Sequence, residues 1–128
     1  MTSLQFSRKI AALLDEKQAT DISIIDLRKV PQAAEFFVIA TGMVDQHVRT
    51  LADYVEDELR SGKLNRKPRS REGKGNLSWV IVDYGDVVVH IFRPETRKYY
   101  QLDKLWGDVP RISVTPASRK KVSTEDDE

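Results

Sequence analysis

Two histidines, His47 and His90, are the side chains of this sequence best suited to acid–base chemistry or metal binding near neutral pH. They stand far apart and do not form a metal-ligand pattern such as H-E-x-x-H. We expect His47 to be a solvent-exposed or structural residue. For His90, inside a predicted strand, two interpretations stay open: a histidine satisfied within the core, or a residue on a sheet face that donates a hydrogen bond to a partner. The sequence has no cysteine, which excludes disulfides, thiolate catalysis and cysteine-ligated metals.

Two pairs of aspartates have the chemistry for a magnesium site. Asp21 and Asp26 bound one predicted strand, and their spacing places them on opposite faces of a regular sheet. Asp83 and Asp86 flank Gly85 in a segment that favours a turn, where aspartate is a common turn former. We therefore expect no metal, no cofactor and no catalytic residue.

A nucleotide site is also poorly supported. Thr41-Gly42 ends a predicted strand just before a helix, where backbone N–H groups can bind phosphate. However, the chain lacks the patterns G-x-x-x-x-G-K-[ST], G-x-G-x-x-G and G-x-S-x-G. We interpret Thr41-Gly42 as a tight turn.

Positive charge is concentrated in the segment 60–75, although the whole chain balances 21 basic against 20 acidic residues. Clustered cations in a connecting segment can neutralise phosphates. The cluster contains no aromatic residue, so base stacking is not indicated. A solvated surface loop and a loop that touches RNA both stay open. The candidate contacts to RNA are Arg66, Lys67, Arg69, Arg71 and Lys74.

The elements that must position these residues follow from hydrophobic periodicity and predict an α/β (α+β) fold, with helices packed on a single mixed β-sheet. Helical spacing indicates one helix through Phe6 and Leu14 with Ser3 as its cap, and a longer one capped by Asp45 and ended by Gly62. The remaining predicted elements, in chain order, are strands at 21–27 and 35–41, irregular structure at 63–75, a hairpin of strands 77–82 and 87–92, a short helix from Pro94, and an extended segment near 100–102.

Length and composition indicate one domain. The chain has 128 residues, 40% hydrophobic and 32% charged. Its apolar runs are far shorter than the roughly 20 residues that cross a bilayer, so we expect a soluble, cytoplasmic protein without a membrane partner. We place the folded domain at 1–110 and a flexible charged tail at 111–128.

The segment from Trp79 to Phe92, WVIVDYGDVVVHIF, resembles the signature of the ribosomal silencing factor (RsfS, Iojap-like) family. The resemblance spans about residues 3–107. One departure is Met43-Val44-Asp45, where the family more often has small hydroxyl residues after the Thr-Gly pair. The other matching positions are Asp21-Ile22, Asp26-Leu27, 37–42, His47, Leu51-Ala52-Asp53, Glu72-Gly73, Arg97, Tyr100, Leu102, Leu105 and Trp106.

The resemblance implies a fold similar to nucleotidyltransferase domains, without the catalytic acids of that superfamily. It also implies a non-enzymatic protein that binds the large ribosomal subunit through its ribosomal protein number fourteen. Such binding blocks joining of the small subunit and represses translation when nutrients are scarce. The family is further expected to form homodimers.

Residue chemistry together with this resemblance indicates which side chains bind the ribosomal protein. Exposed Trp and Tyr rings concentrate binding energy at interfaces, whereas some aromatic residues of so small a domain must fill its core. The expected contacts are Trp79, Asp83, Tyr84, Asp86, His90, Tyr100 and Trp106. Two alternatives are a small nucleotidyltransferase-like enzyme and a free-standing RNA-binding protein.

Overall fold

The computed structural model describes residues 1–30, 34–73, 75–100, 104 and 109–114. Within these residues the chain forms three helices and six strands around one sheet. In chain order they are α1 (Ser3–Glu16), β1 (Thr20–Asp26), β2 (Phe36–Thr41), α2 (Asp45–Ser61), β3 (Ser70–Glu72), β4 (Trp79–Asp83), β5 (Val87–Phe92), α3 (Pro94–Tyr99) and β6 (Arg111–Val114).

The sheet has the strand order β3-β4-β5-β2-β1-β6 and is mixed, as predicted. β2 and β5 pair in parallel at its centre, from Phe36 opposite Val87 to Thr41 opposite Phe92. The neighbouring pairs are antiparallel. The tight connection between β4 and β5 contains Gly85 at a φ of 93°, a conformation that glycine adopts without strain. The predicted hairpin is confirmed.

Helices α1 and α2 pack on one face of the sheet and close the main core. Each helix contributes a stripe of apolar residues, such as Ile10 and Leu14 of α1 and Leu51 and Val55 of α2, all of them fully buried. Burying one such side chain stabilises the fold by about 1.5–3 kcal/mol. The strand residues that meet these helices include Ile24, Val38, Val80, Val82, Val89 and Ile91.

The second face of the sheet carries the alternate strand residues and holds a smaller apolar cluster. Ile25, Ile39 and Phe92 are buried there, and Phe37 and Trp79 pack against them half-buried. Neither α1 nor α2 contributes to this cluster. The short helix α3 follows β5 directly. Its end lies beside this second face, because the Tyr100 ring is 6.0 Å from that of Trp79.

Both predicted helix caps are wrong by one residue. Thr2, not Ser3, caps α1: its hydroxyl accepts the Gln5 N–H at 3.1 Å, and Gln5 Oε1 accepts the Thr2 N–H in return. Asp45 is the first residue of α2, and the capping position is Val44, which makes no side-chain hydrogen bond there. Asp45 still favours the helix because a carboxylate in the first turn interacts well with the helix dipole.

Two strands appear where none was predicted. β3 lies inside the basic segment and pairs with β4, while β6 pairs with β1 from Arg111 opposite Ile25 to Val114 opposite Ile22. Both are short edge strands, and hydrophobic periodicity gives little signal over three or four residues. β6 lies within the segment 111–128 that the sequence predicts to be a tail, and residues 115–128 lie outside the described part of the chain.

Two further expectations concern the end of the chain and membranes. Tyr100 ends α3 in a turn instead of starting an extended segment, and residues 101 and 102 lie outside the described ones. Within the described residues, no helix has the length and apolar character needed to cross a membrane.

Candidate functional site

Aromatic side chains gather on the second sheet face at the start of β4, and we call this cluster the aromatic patch (Trp79, His90, Phe92, Tyr99 and Tyr100). The Trp79 ring lies 5.0 Å from that of Phe92, 6.0 Å from that of Tyr100 and 6.2 Å from that of His90, measured between centroids. The Tyr99 and Tyr100 rings meet edge to face at 4.9 Å. Tyr99 is 79% exposed and Tyr100 56% exposed, so the patch faces solvent with large rings.

His90 orients the indole of Trp79. Its Nδ1 accepts a hydrogen bond from Trp79 Nε1 at 3.2 Å, its ring lies parallel to Phe92 at 6.0 Å, and Phe37 meets it at 4.6 Å. Burial lowers the pKa of His90 to about 4, against a smaller opposing effect of Asp83. The imidazole is therefore neutral near pH 7 and keeps Nδ1 as an acceptor. His90 is only 7% exposed, which argues against the predicted direct contact with a partner and for a role inside the patch.

Tyr84 lies in the main core, and its burial argues against the predicted contact with a partner. It is 3% exposed and meets Phe6 of α1 edge to face at 5.3 Å. The Arg66 guanidinium lies over the Phe6 ring at 4.2 Å and over the Tyr84 ring at 5.6 Å. The Tyr84 hydroxyl has no hydrogen-bond partner among the described residues, and burial raises its pKa to about 12.

Asp83 and Asp86 serve the turn between β4 and β5. Asp83 Oδ1 accepts the Gly85 N–H at 2.7 Å, as expected for a turn former. Asp86 accepts from Ser3 Oγ at 3.1 Å and pairs with Arg66 at 3.2 Å. Both carboxylates are half-buried. Nowhere in the described ranges do three or more acidic or histidine side chains converge in a way that could hold a metal ion.

The predicted RNA-contacting cations fall into two groups. Arg66 is held by Asp86 and donates to the Tyr84 carbonyl at 2.9 Å, while Arg71 Nη1 bonds to Asp53 and Glu56 of α2 at 2.7 and 2.6 Å. These two arginines attach the basic segment to the domain, and their charges are engaged there.

Lys67 and Arg69, in contrast, are exposed and make no ion pair with any residue in the described ranges. Arg69 lies beside Gly85, since a Cβ at that glycine would come within 3.3 Å of Arg69 Cδ. This places Arg69 near one end of β4 and the aromatic patch at the other, about 14 Å apart along five strand residues.

Two predicted site residues lie outside the described part of the chain, and two residues of the site region were not predicted as site residues. Trp106 and Lys74 lie outside the described residues. Tyr99 was not among the predicted contacts, although it is the most exposed aromatic ring of the described chain. Arg97 was noted only as a match to the family, and its burial at 8% could not be read from a charged position in a short helix.

The first prediction separates the ring of Tyr84 from its hydroxyl. Tyr84→Phe keeps the contact with Phe6 and removes an oxygen without a partner, so the free energy of unfolding should change by less than about 1 kcal/mol. Tyr84→Ala leaves a cavity and should cost about 3–5 kcal/mol. Urea denaturation of both variants measures the difference. A loss above about 2 kcal/mol in Tyr84→Phe would show that the hydroxyl is bonded in solution.

The second prediction concerns pH. The unfolded chain protonates His90 near its ordinary pKa of 6.5, whereas the folded protein protonates it near 4. Between these values the unfolded state binds an extra proton, so stability falls as the pH is lowered from about 7 to 4, by up to about 3 kcal/mol from this residue.

His90→Gln is the matched variant, because its amide oxygen can still accept the Trp79 N–H but does not titrate. Subtracting its unfolding free energy from that of the wild type cancels the other titrating groups. In chemical denaturation, the unfolding free energy of the wild type minus that of His90→Gln should fall as the pH is lowered from 7 to 4. A constant difference over that range would mean that His90 titrates alike in both states.

The chain is similar to known proteins over most of its length. The family model described as "Ribosomal silencing factor during starvation" matches residues 1–128. Ribosomal silencing factor RsfS of Bacillus subtilis (strain 168) is 40% identical over 100 residues, which are 78% of this chain and 83% of that protein. "Mitochondrial assembly of ribosomal large subunit protein 1" of Mus musculus is 33% identical over 98 residues, 76% of this chain and 43% of that one.

The fold is also similar to that of a solved structure. The crystal structure of protein CV0518 from Chromobacterium violaceum has a TM-score of 0.78 and 30% identity, covering 92% of this chain and 97% of that one. The match of the family model over the full sequence includes the strands and rings that build the aromatic patch. The chain is a member of the ribosomal silencing factor family.

Proposed function

We propose that this protein silences ribosomes by obstruction. It binds the large ribosomal subunit in the cytoplasm through ribosomal protein number fourteen, and the small subunit then cannot join. Translation is repressed in this way when nutrients are scarce. The observation that carries the proposal is the aromatic patch, because solvent-facing Trp and Tyr rings on a rigid sheet are the usual anchors of a protein interface.

The patch is organised before a partner arrives. The Trp79 indole is fixed by its hydrogen bond to His90 and by contact with Phe92, so little side-chain freedom remains to be lost on binding. A standard interface buries about 800 Å² on each partner. That is roughly a tenth of the 7337 Å² accessible surface of this chain.

Obstruction requires no chemical step, and inhibition follows the fraction of large subunits that carry the protein. The family name supports a ribosomal target, and the name of the mouse relative refers to assembly of the large ribosomal subunit. Lys67 and Arg69 add a second contact, to ribosomal RNA at the rim. Self-association as a homodimer is part of the proposal and is supported by the family resemblance.

The third prediction tests the patch with Tyr100→Ala. Tyr100 is 56% exposed, so removing its ring should leave the fold stable while large-subunit binding weakens by about 10-fold or more. Tyr54→Ala is the control on the opposite side of the sheet; because Tyr54 of α2 is half-buried against the main core, urea denaturation of this variant checks that it stays folded. Sucrose-gradient sedimentation with purified subunits reports both binding and joining. Joined ribosomes that form normally at saturating wild-type protein would refute obstruction.

The fourth prediction tests the rim. Replacing both Lys67 and Arg69 by alanine should reduce affinity for the large subunit at low salt. The slope of log affinity against log salt should fall by about 1 for each lost phosphate contact. Lys9→Ala with Arg49→Ala, two exposed cations of α1 and α2, is the control of equal charge. An unchanged slope would remove RNA from the proposed interface, whereas tight binding to protein-free RNA would favour a free-standing RNA-binding protein.

A further inference from the structure

Helix α3 is held by a buried charged side chain. Of its six residues, Pro94–Tyr99, the buried one is Arg97, which is 8% exposed. A helix of this length is not stable by itself in water. It also lacks the stripe of buried apolar residues by which α1 and α2 attach to the sheet. The position of α3 therefore depends on polar contacts.

Arg97 reaches from α3 to two strands. Its Nη1 donates to the Asp21 carbonyl oxygen at 2.8 Å and to Thr41 Oγ1 at 2.8 Å. Asp21 has a φ of 49°, and the register of β1 with β2 shifts between Thr20 and Ser23. Because of this irregularity Asp21 has no partner residue on β2, and its carbonyl accepts from the guanidinium.

The second end of α3 delivers the exposed rings of the aromatic patch. Tyr99 is its last residue and Tyr100 follows directly, with the Tyr100 ring 6.0 Å from that of Trp79. Their exposures of 79% and 56% mean that burial alone does not fix these rings. Their position is set by the helix that carries them.

The other attachment of α3 lies at its start. The Arg93 N–H donates to the Ser78 carbonyl at 3.0 Å, and the Arg93 side chain pairs with Asp45 at 3.1 Å. These contacts fix where the helix begins, but they leave its direction open. Arg97, four residues and so just over one turn after Arg93, fixes the direction.

We propose that Arg97 is the positioning residue of the aromatic patch. By fastening α3 to β1 and β2, it holds Tyr99 and Tyr100 beside Trp79 in the arrangement that the ribosomal partner binds, and in this last respect it rests on the proposed function. Arginine suits the task because its planar guanidinium stays charged and can reach two acceptors at once. Lysine lacks the planar guanidinium and holds its ammonium on a more flexible chain, so it reproduces this attachment only in part.

The test compares Arg97→Met with Lys98→Met, its exposed neighbour on the same helix. Two properties are measured in the full chain: nuclear Overhauser effects between the rings of Trp79 and Tyr100, and the dissociation constant for the large subunit. Arg97→Met should lose the ring contacts and weaken binding by about 10-fold, since a charge-assisted hydrogen bond is worth at least that factor. Lys98→Met should keep both properties, and Arg97→Lys should fall between.

Thr41→Val keeps the proposal falsifiable if Arg97→Met fails to fold, because it removes one acceptor of Arg97 at nearly constant volume. It should shift both properties in the same direction by a smaller amount. Ring contacts that persist in the folded variants, or binding that stays unchanged after they are lost, would overturn the proposal. If the wild type itself does not bind the subunit, the proposed function fails. The Overhauser effects then still decide whether Arg97 holds α3.

Discussion

The alternation of side chains along β5 is the constraint on which the rest of the structure depends. β5 lies between β4 and β2, so both of its edges are hydrogen-bonded and its register cannot slip without breaking two ladders. Val87, Val89 and Ile91 point to the helices and complete the main core. His90 and Phe92 point the other way and form the base of the aromatic patch. One strand thus completes the main core with one face and carries the base of the proposed interface on the other.

Hydrogen bonds of buried polar side chains restrict how the rings of the aromatic patch can be arranged. Apolar packing is non-directional and tolerates several arrangements of rings. The Trp79–His90 hydrogen bond and the contacts of Arg97 with Thr41 are directional, and each loses free energy when its geometry is lost. The acceptor His90 and the donor Arg97 are each more than nine-tenths buried, at 7% and 8% exposure. Burial makes these bonds costly to break, and on our proposal they keep the exposed rings in one arrangement.

The hairpin and the two long helices could be predicted because their signals are local. Gly85 between two β-branched runs predicts the turn, and helical spacing predicts α2 from its own residues. The fates of Tyr84 and Tyr100 could not be predicted in this way. Both tyrosines adjoin a strand or helix end, but Tyr84 is buried because Phe6, distant in sequence, packs against it. Whether a site residue is buried or exposed thus depends on tertiary contacts. A motif match identifies the residues along the sequence but does not predict their exposure.

The separation of rings and cations along β4 gives the two parts of the proposed interface different physical roles. Long-range attraction from Lys67 and Arg69 acts before contact and is screened by salt, so it governs the rate of encounter. The aromatic patch acts only on contact, through desolvated rings whose loss speeds dissociation. Because the net charge of the whole chain is only +1, steering must come from this local rim. On the proposed mechanism of obstruction, slow release matters most, and the rings of the aromatic patch determine it more than the exposed cations do.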